Sequence, residues 1–216
     1  MYREIIRRYK VYGSQPAVIG SIALSAFVFL CSIVFNFYAG VYATSRASNY
    51  VEDIVLSNVP VVDVGWIFIW GAVALVLCIL LLLLTHPKRI PFVLHALSLF
   101  YGIRGIFVSL THLAPYPTQA PLNLDFGAIF AKQFGGADLF FSAHTGAPFL
   151  MALVFWHNRT LRYLFLAWSG MFGVVVLLGH LHYSIDVLAA FFITYSIYHL
   201  TLWLFPHDHR LFLSDL

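Results

Sequence analysis

Six long apolar runs separated by shorter polar stretches organise the chain; they lie near 17–40, 64–85, 91–111, 139–156, 163–181 and 184–205. Each is close to the ~20 residues that a helix needs to cross about 30 Å of hydrocarbon. The pattern predicts an all-α membrane protein: a bundle of six transmembrane helices forming one catalytic domain over residues 1–216. The first run, Ala17 to Ala43, follows the basic stretch "MYREIIRRYK" and is longer than a signal-peptide core. It therefore reads as a retained first span.

The polar stretches predict an orientation, because Lys and Arg in short loops stay on the cytoplasmic side. Arg3, Arg7, Arg8 and Lys10 precede the first span, Lys88 and Arg89 separate the second and third, Arg159 and Arg162 flank the fourth and fifth, and Arg210 follows the sixth. The loops at 41–62 and 112–138 and the turn near 182 are poor in Lys and Arg. Both termini are expected to be cytoplasmic, with these three loops on the extracellular, lumenal or periplasmic side. The longest loop, "THLAPYPTQAPLNLDFGAIFAKQFGG", holds three prolines and a Gly pair, suits an irregular roof, and includes "FGAIF" as a short interfacial helix.

Composition agrees with the pattern. The 216 residues are 61% hydrophobic and 10% charged, and the mean hydropathy is +0.86. A formal net charge of +3 spread over short segments points away from nucleic acid and toward lipid as the partner. Cys31 and Cys78 sit in separate apolar runs and read as small buried hydrophobes. Oligomerisation is left open.

Against this background, polar groups inside predicted spans stand out. "FFSAHTGAPF", from Phe140, carries Ser142, His144 and Thr145; "GHLHYSIDVLAAFF" carries His180, His182 and Asp186; Arg104 lies late in the third span. In the predicted topology His144, His182, Asp186 and Arg104 all fall toward the non-cytoplasmic side. A four-residue spacing places His182 and Asp186 on one helix face. A carboxylate on one ring nitrogen fixes the tautomer and leaves the other as a lone-pair nucleophile or base. His144 would then give a proton to a leaving alkoxide. Arg104 offers a planar fork for phosphate oxygens at a depth where a charge is costly. Together these groups suit phosphoryl-type transfer.

Other readings compete. His95, His112, His157 and His199 read as hydrogen-bonded packing residues, and the His182–Asp186 pair alone would serve equally as interhelical glue. A zinc site of His144, His182 and Asp186, with His180 added, leaves Arg104 without a role. A proton path would need a polar chain reaching the other face. The favoured reading is metal-independent and needs no cofactor.

"ADLFFSAHT" followed by "GHLHYSIDVLAAFF" resembles the third and fourth motifs of the sphingomyelin synthase family, a branch of the type 2 phosphatidic acid phosphatase superfamily. "IRGIFVSLTHLAP" resembles an earlier motif of that family more weakly. The resemblance implies six membrane helices and transfer of a phosphocholine or phosphoethanolamine head group from a glycerophospholipid to ceramide or diacylglycerol. It implies that His182 forms a phosphohistidine, that Asp186 orients it and that His144 is the general acid and base. Asp138, Ser142 and Tyr183 would join Arg104 in binding substrate. Ala143 and Gly136 depart from the family pattern, and the Lys and Arg signature of the wider superfamily is missing. That makes a diester transferase a better match than a plain lipid phosphate phosphatase; the alternative is a lipid phosphate phosphatase or phospholipase C type hydrolase using the same residues with water as acceptor.

Overall fold

A computed structural model describes residues 2–122 and 138–214. All regular structure among them is helical: α1 Tyr2–Gly13, α2 Pro16–Ser45, α3 Gly65–Thr85, α4 Ile90–Leu110, α5 Ala143–Val154, α6 Arg159–Leu178, α7 Ser184–Leu204 and α8 Pro206–Leu213, with a 3₁₀ turn at Pro87–Arg89. Proline marks many of the joints. Pro16 and Pro206 occupy first turns, where a missing N–H costs nothing, and Pro87 follows the end of α3. The expected "FGAIF" helix at 126–130 lies outside the described residues.

Five of the predicted spans are matched by helices long and apolar enough to cross a membrane. The segment predicted at 139–156 differs. Its helix α5 has 12 residues, about 18 Å of rise. Residues before Ala143 are not helical because Phe140 and Phe141 adopt φ of 80° and 66°, left-handed conformations that bulky residues seldom hold without support. Ser142 then starts the helix, its hydroxyl accepting from the amide of Thr145 at 3.4 Å. Turns from Phe155 onward end it, and Asn158 caps α6 through the amide of Leu161 at 3.0 Å.

α5 is buried along most of its length and packs against α6 and α7, while α2 lies along α4. The last approach is close: a Cβ on Gly105 would come within 2.6 Å of the Phe35 ring and 3.4 Å of the Asn36 backbone. α1 and α8 both pack on the turn at Pro87–Arg89, so both described ends of the chain meet at one end of the bundle. Buried apolar residues from α3 to α7, with Phe141 and Phe212, form the main core. Cys78 is half-buried, but Cys31 is exposed on α2; its apolar run faces outward because the helix surface, not the core, is what the surrounding lipid would wet.

Candidate active site

The N-terminus of α7 sets the site. Asp186 is fully buried in the first turn, and its Oδ2 accepts from the Tyr183 amide at 3.0 Å and pairs with His182 Nδ1 at 3.1 Å. Four orphan amides and the positive end of the helix dipole favour a carboxylate here. The pairing expected from sequence is present, but for another reason. α7 begins at Ser184, so His182 precedes the helix, and Asp186 reaches it by folding back over the approach turn. Since an ionised carboxylate only accepts, Nδ1 carries the proton and Nε2 keeps its lone pair. The second oxygen, Asp186 Oδ1, is buried without a hydrogen-bond partner among the described residues.

Asp53, in the loop between α2 and α3, fixes the same helix end from outside. Its Oδ2 accepts from the Ser184 amide at 2.7 Å and the Ser184 hydroxyl at 2.8 Å, while Oδ1 accepts from Val55 and Leu56 amides. Burial works against its charge, but these donors outweigh it and hold the Asp53 pKa below the usual carboxylate value.

His144 enters from the first turn of α5. Its ring stacks on Phe68 with centroids 3.8 Å apart and meets Phe172 edge-on at 5.2 Å. One backbone bond joins the two motifs directly: the amide of Ser142 donates to the Asp186 carbonyl at 3.2 Å. His144 and His182 line one cavity of about 340 Å³, together with Arg104, Asp138, Asn36 and Gln119. The remaining wall is largely apolar: α2 residues such as Ile33 and Phe37 and α3 residues such as Phe68, Leu75 and Val76 form much of it, with Ala147 and Phe172 from α5 and α6.

Arg104 is buried, and its fork is engaged within the protein. Nη2 donates to the carbonyl and the carboxylate of Asp138, both at 2.9 Å; Nε donates to the Phe141 carbonyl at 3.2 Å; Nη1 donates to Asn36 Oδ1 at 3.1 Å. The guanidinium therefore clamps the strained segment before α5, with one Nη1 hydrogen outside these four bonds. The fork expected to meet phosphate oxygens is shared among Asp138, Phe141 and Asn36.

Ser142 and Tyr183, expected to touch substrate, lie off the cavity wall. Ser142 is fully buried as the cap of α5. The Tyr183 hydroxyl donates to the Ala114 carbonyl at 2.8 Å, and burial first, then Asp186 and Asp53, push its pKa up against a bond from the Val51 amide. His180 turns away as well, at φ 51°. Its Nε2 meets the Val59 carbonyl at 3.2 Å and its Nδ1 the Thr118 hydroxyl at 2.6 Å. Among the described residues no three His, Cys, Asp or Glu side chains group at metal-ligating range.

Asn36 and Asp53 were not singled out from sequence. Asn36 had a signal, an amide within an apolar span. Asp53 had none beyond its charge. Of the four histidines read as packing residues, His112 bonds the Ser109 carbonyl and His199 lies against Tyr195 and Tyr198, while His95 pairs with Asp208 at 2.9 Å.

A family model described as PAP2 superfamily C-terminal matches residues 135–203. That stretch holds His144, His182 and Asp186, and the match supports the PAP2 superfamily and, with it, an enzyme acting on phosphate esters of membrane lipids. No curated protein and no solved structure matches the chain.

Proposed function

We propose that this protein is a lipid phosphotransferase that moves a phosphocholine or phosphoethanolamine type head group from a glycerophospholipid to ceramide or diacylglycerol. The observation that carries the proposal is the His182–Asp186 pair opening onto the same cavity as His144. Nε2 of His182 attacks the phosphorus of the donor; the bond to the glyceryl oxygen breaks, and protonated His144 gives its proton to the leaving alkoxide. Diacylglycerol departs and a phosphohistidine remains. His144, now neutral, takes the proton from the acceptor hydroxyl as its oxygen attacks phosphorus and the P–N bond breaks. Asp186 steadies the positive imidazole ring through both steps. Arg104 acts by holding Asp138 and the chain before α5, with its remaining N–H available to a phosphoryl oxygen.

The apolar wall from α2 and α3 suits acyl chains, and keeping water away from the phosphohistidine favours a lipid alcohol as acceptor. The positive-inside pattern of the sequence supports a site facing the extracellular, lumenal or periplasmic side. Product analysis on purified protein tests the reading, using labelled ceramide or diacylglycerol with phosphatidylcholine or phosphatidylethanolamine. A new phospholipid is expected, absent in His182→Ala. Free head-group phosphate formed regardless of acceptor would make the protein a hydrolase using the same site, and wild-type turnover by His182→Ala would end the mechanism.

A further inference from the structure

A second set of polar groups lies at the other end of the bundle, where α1, the end of α3 and the 3₁₀ turn meet. Along α4, Ile90 and Arg104 are separated by about 21 Å, so this set has no part in the site around His182. Arg8 of α1 donates through Nη1 to the Thr85 carbonyl at 3.0 Å, which anchors it at the C-terminus of α3. Its Nε is buried without a hydrogen-bond partner among the described residues. Glu4 is 3.6 Å from that atom, but its carboxylate is already bonded to Arg7 at 2.8 Å. Arg89 is held with its guanidinium 5.6 Å from the ring centres of both Phe155 and Phe212, and its Nε is likewise buried without a hydrogen-bond partner among the described residues. Lys88, beside it, is buried.

Arg8, Lys88 and Arg89 are thus gathered at one junction, where Glu4 is the carboxylate in ion-pair range of Arg8 among the described residues. Two of them keep buried N–H groups of the kind that elsewhere find an acceptor. Arginine fixed in this way suits the oxygens of a carboxylate or phosphate, and at a membrane surface phosphate is the abundant one. We propose that Arg8, Lys88 and Arg89 form a binding site for a phosphate group, carried by a phospholipid head group at the membrane surface. His86 lies among these groups and reports on them. Burial first, then Arg89, Arg8 and Lys88, bring its pKa down to about 4. A bound phosphate would neutralise that field.

The test places ring-labelled protein in nanodiscs of phosphatidylcholine and follows the His86 titration by NMR, its signal identified by its loss in His86→Asn. His207, at the same end and with its side chain 71% exposed, reports the general surface potential. On adding phosphatidylglycerol, the His86 pKa is expected to rise above about 4 as the contributions of Arg89, Arg8 and Lys88 are offset, while burial still holds it below the ordinary 6.5, and to rise well beyond any change at His207. The same selective rise with inorganic phosphate alone would identify free phosphate as the ligand of the site. No rise with either, or an equal rise at both histidines, would overturn the proposal. Native mass spectrometry gives an independent reading: retention of one phosphatidylglycerol should fall at least tenfold in Arg8→Gln with Arg89→Gln, and unchanged retention would also overturn it.

Discussion

Replacing Asp186 with Asn separates charge from geometry. Both donors, His182 Nδ1–H and the Tyr183 amide, converge on the single oxygen Oδ2. An Asn that keeps its oxygen there preserves both bonds and the His182 tautomer; the flipped amide would set an NH₂ against the Tyr183 N–H and is disfavoured. What is lost, in the proposed mechanism, is the negative charge facing the imidazole as it becomes positive on phosphorylation. With an effective dielectric near 20 and roughly 4–5 Å between the charge centres, that interaction is about 3–4 kcal/mol. At about 1.4 kcal/mol per decade, kcat should fall by about 10²–10³. Stability should hold, because the carboxylate is fully buried with Oδ1 unpartnered, and a neutral amide in that place costs less to desolvate. The assay is kcat for lipid product beside a thermal melt of Asp186→Asn, with Asp186→Ala for comparison. Activity within about threefold of wild type, with the fold intact, would refute an electrostatic role for Asp186.

Two further substitutions probe the supports. Arg104→Lys keeps the charge but cannot reach Asp138, Phe141 and Asn36 together; kcat should drop at least tenfold, with faster proteolysis or hydrogen exchange across 138–142, and unchanged exchange there would count against the clamp. Asp53→Asn should destabilise by about 1–3 kcal/mol at neutral pH. Because the Asp53 pKa is depressed when folded, its stabilisation is fully present above the unfolded value of 3.8 and fades as pH falls through the folded value. Melts of the two proteins should therefore converge in acid, and a gap that stays constant would exclude the charge as the cause.

Hydropathy located the helices well because a bilayer demands about 20 apolar residues whatever their identity. It failed at 139–142 for the same reason. Phe140 and Phe141 are as apolar in a left-handed turn as in a helix, and the Arg104 bond that keeps Phe141 there comes from another helix. His182 and Asp186 were legible as partners from spacing alone, although a capping turn rather than a shared helix face brings them together. Arg104 and Asp138 were each legible as unusual charges, but not as each other's partner. Ser142 and Tyr183 show the converse: their polarity serves the backbone around the site, which residue type cannot distinguish from contact with a ligand.

The bond from the Ser142 amide to the Asp186 carbonyl has a bearing on how such a protein can vary. It makes the reacting groups one unit, spelled out within residues 135–203, the stretch the family match covers. The apolar cavity wall from α2 and α3 lies outside that stretch. Under the proposed mechanism the reacting histidines and Asp186 lie within one stretch, while much of the apolar wall is written outside it. On that reading, substitutions in α2 and α3 would reshape the lipid pocket while leaving the reacting unit as it is.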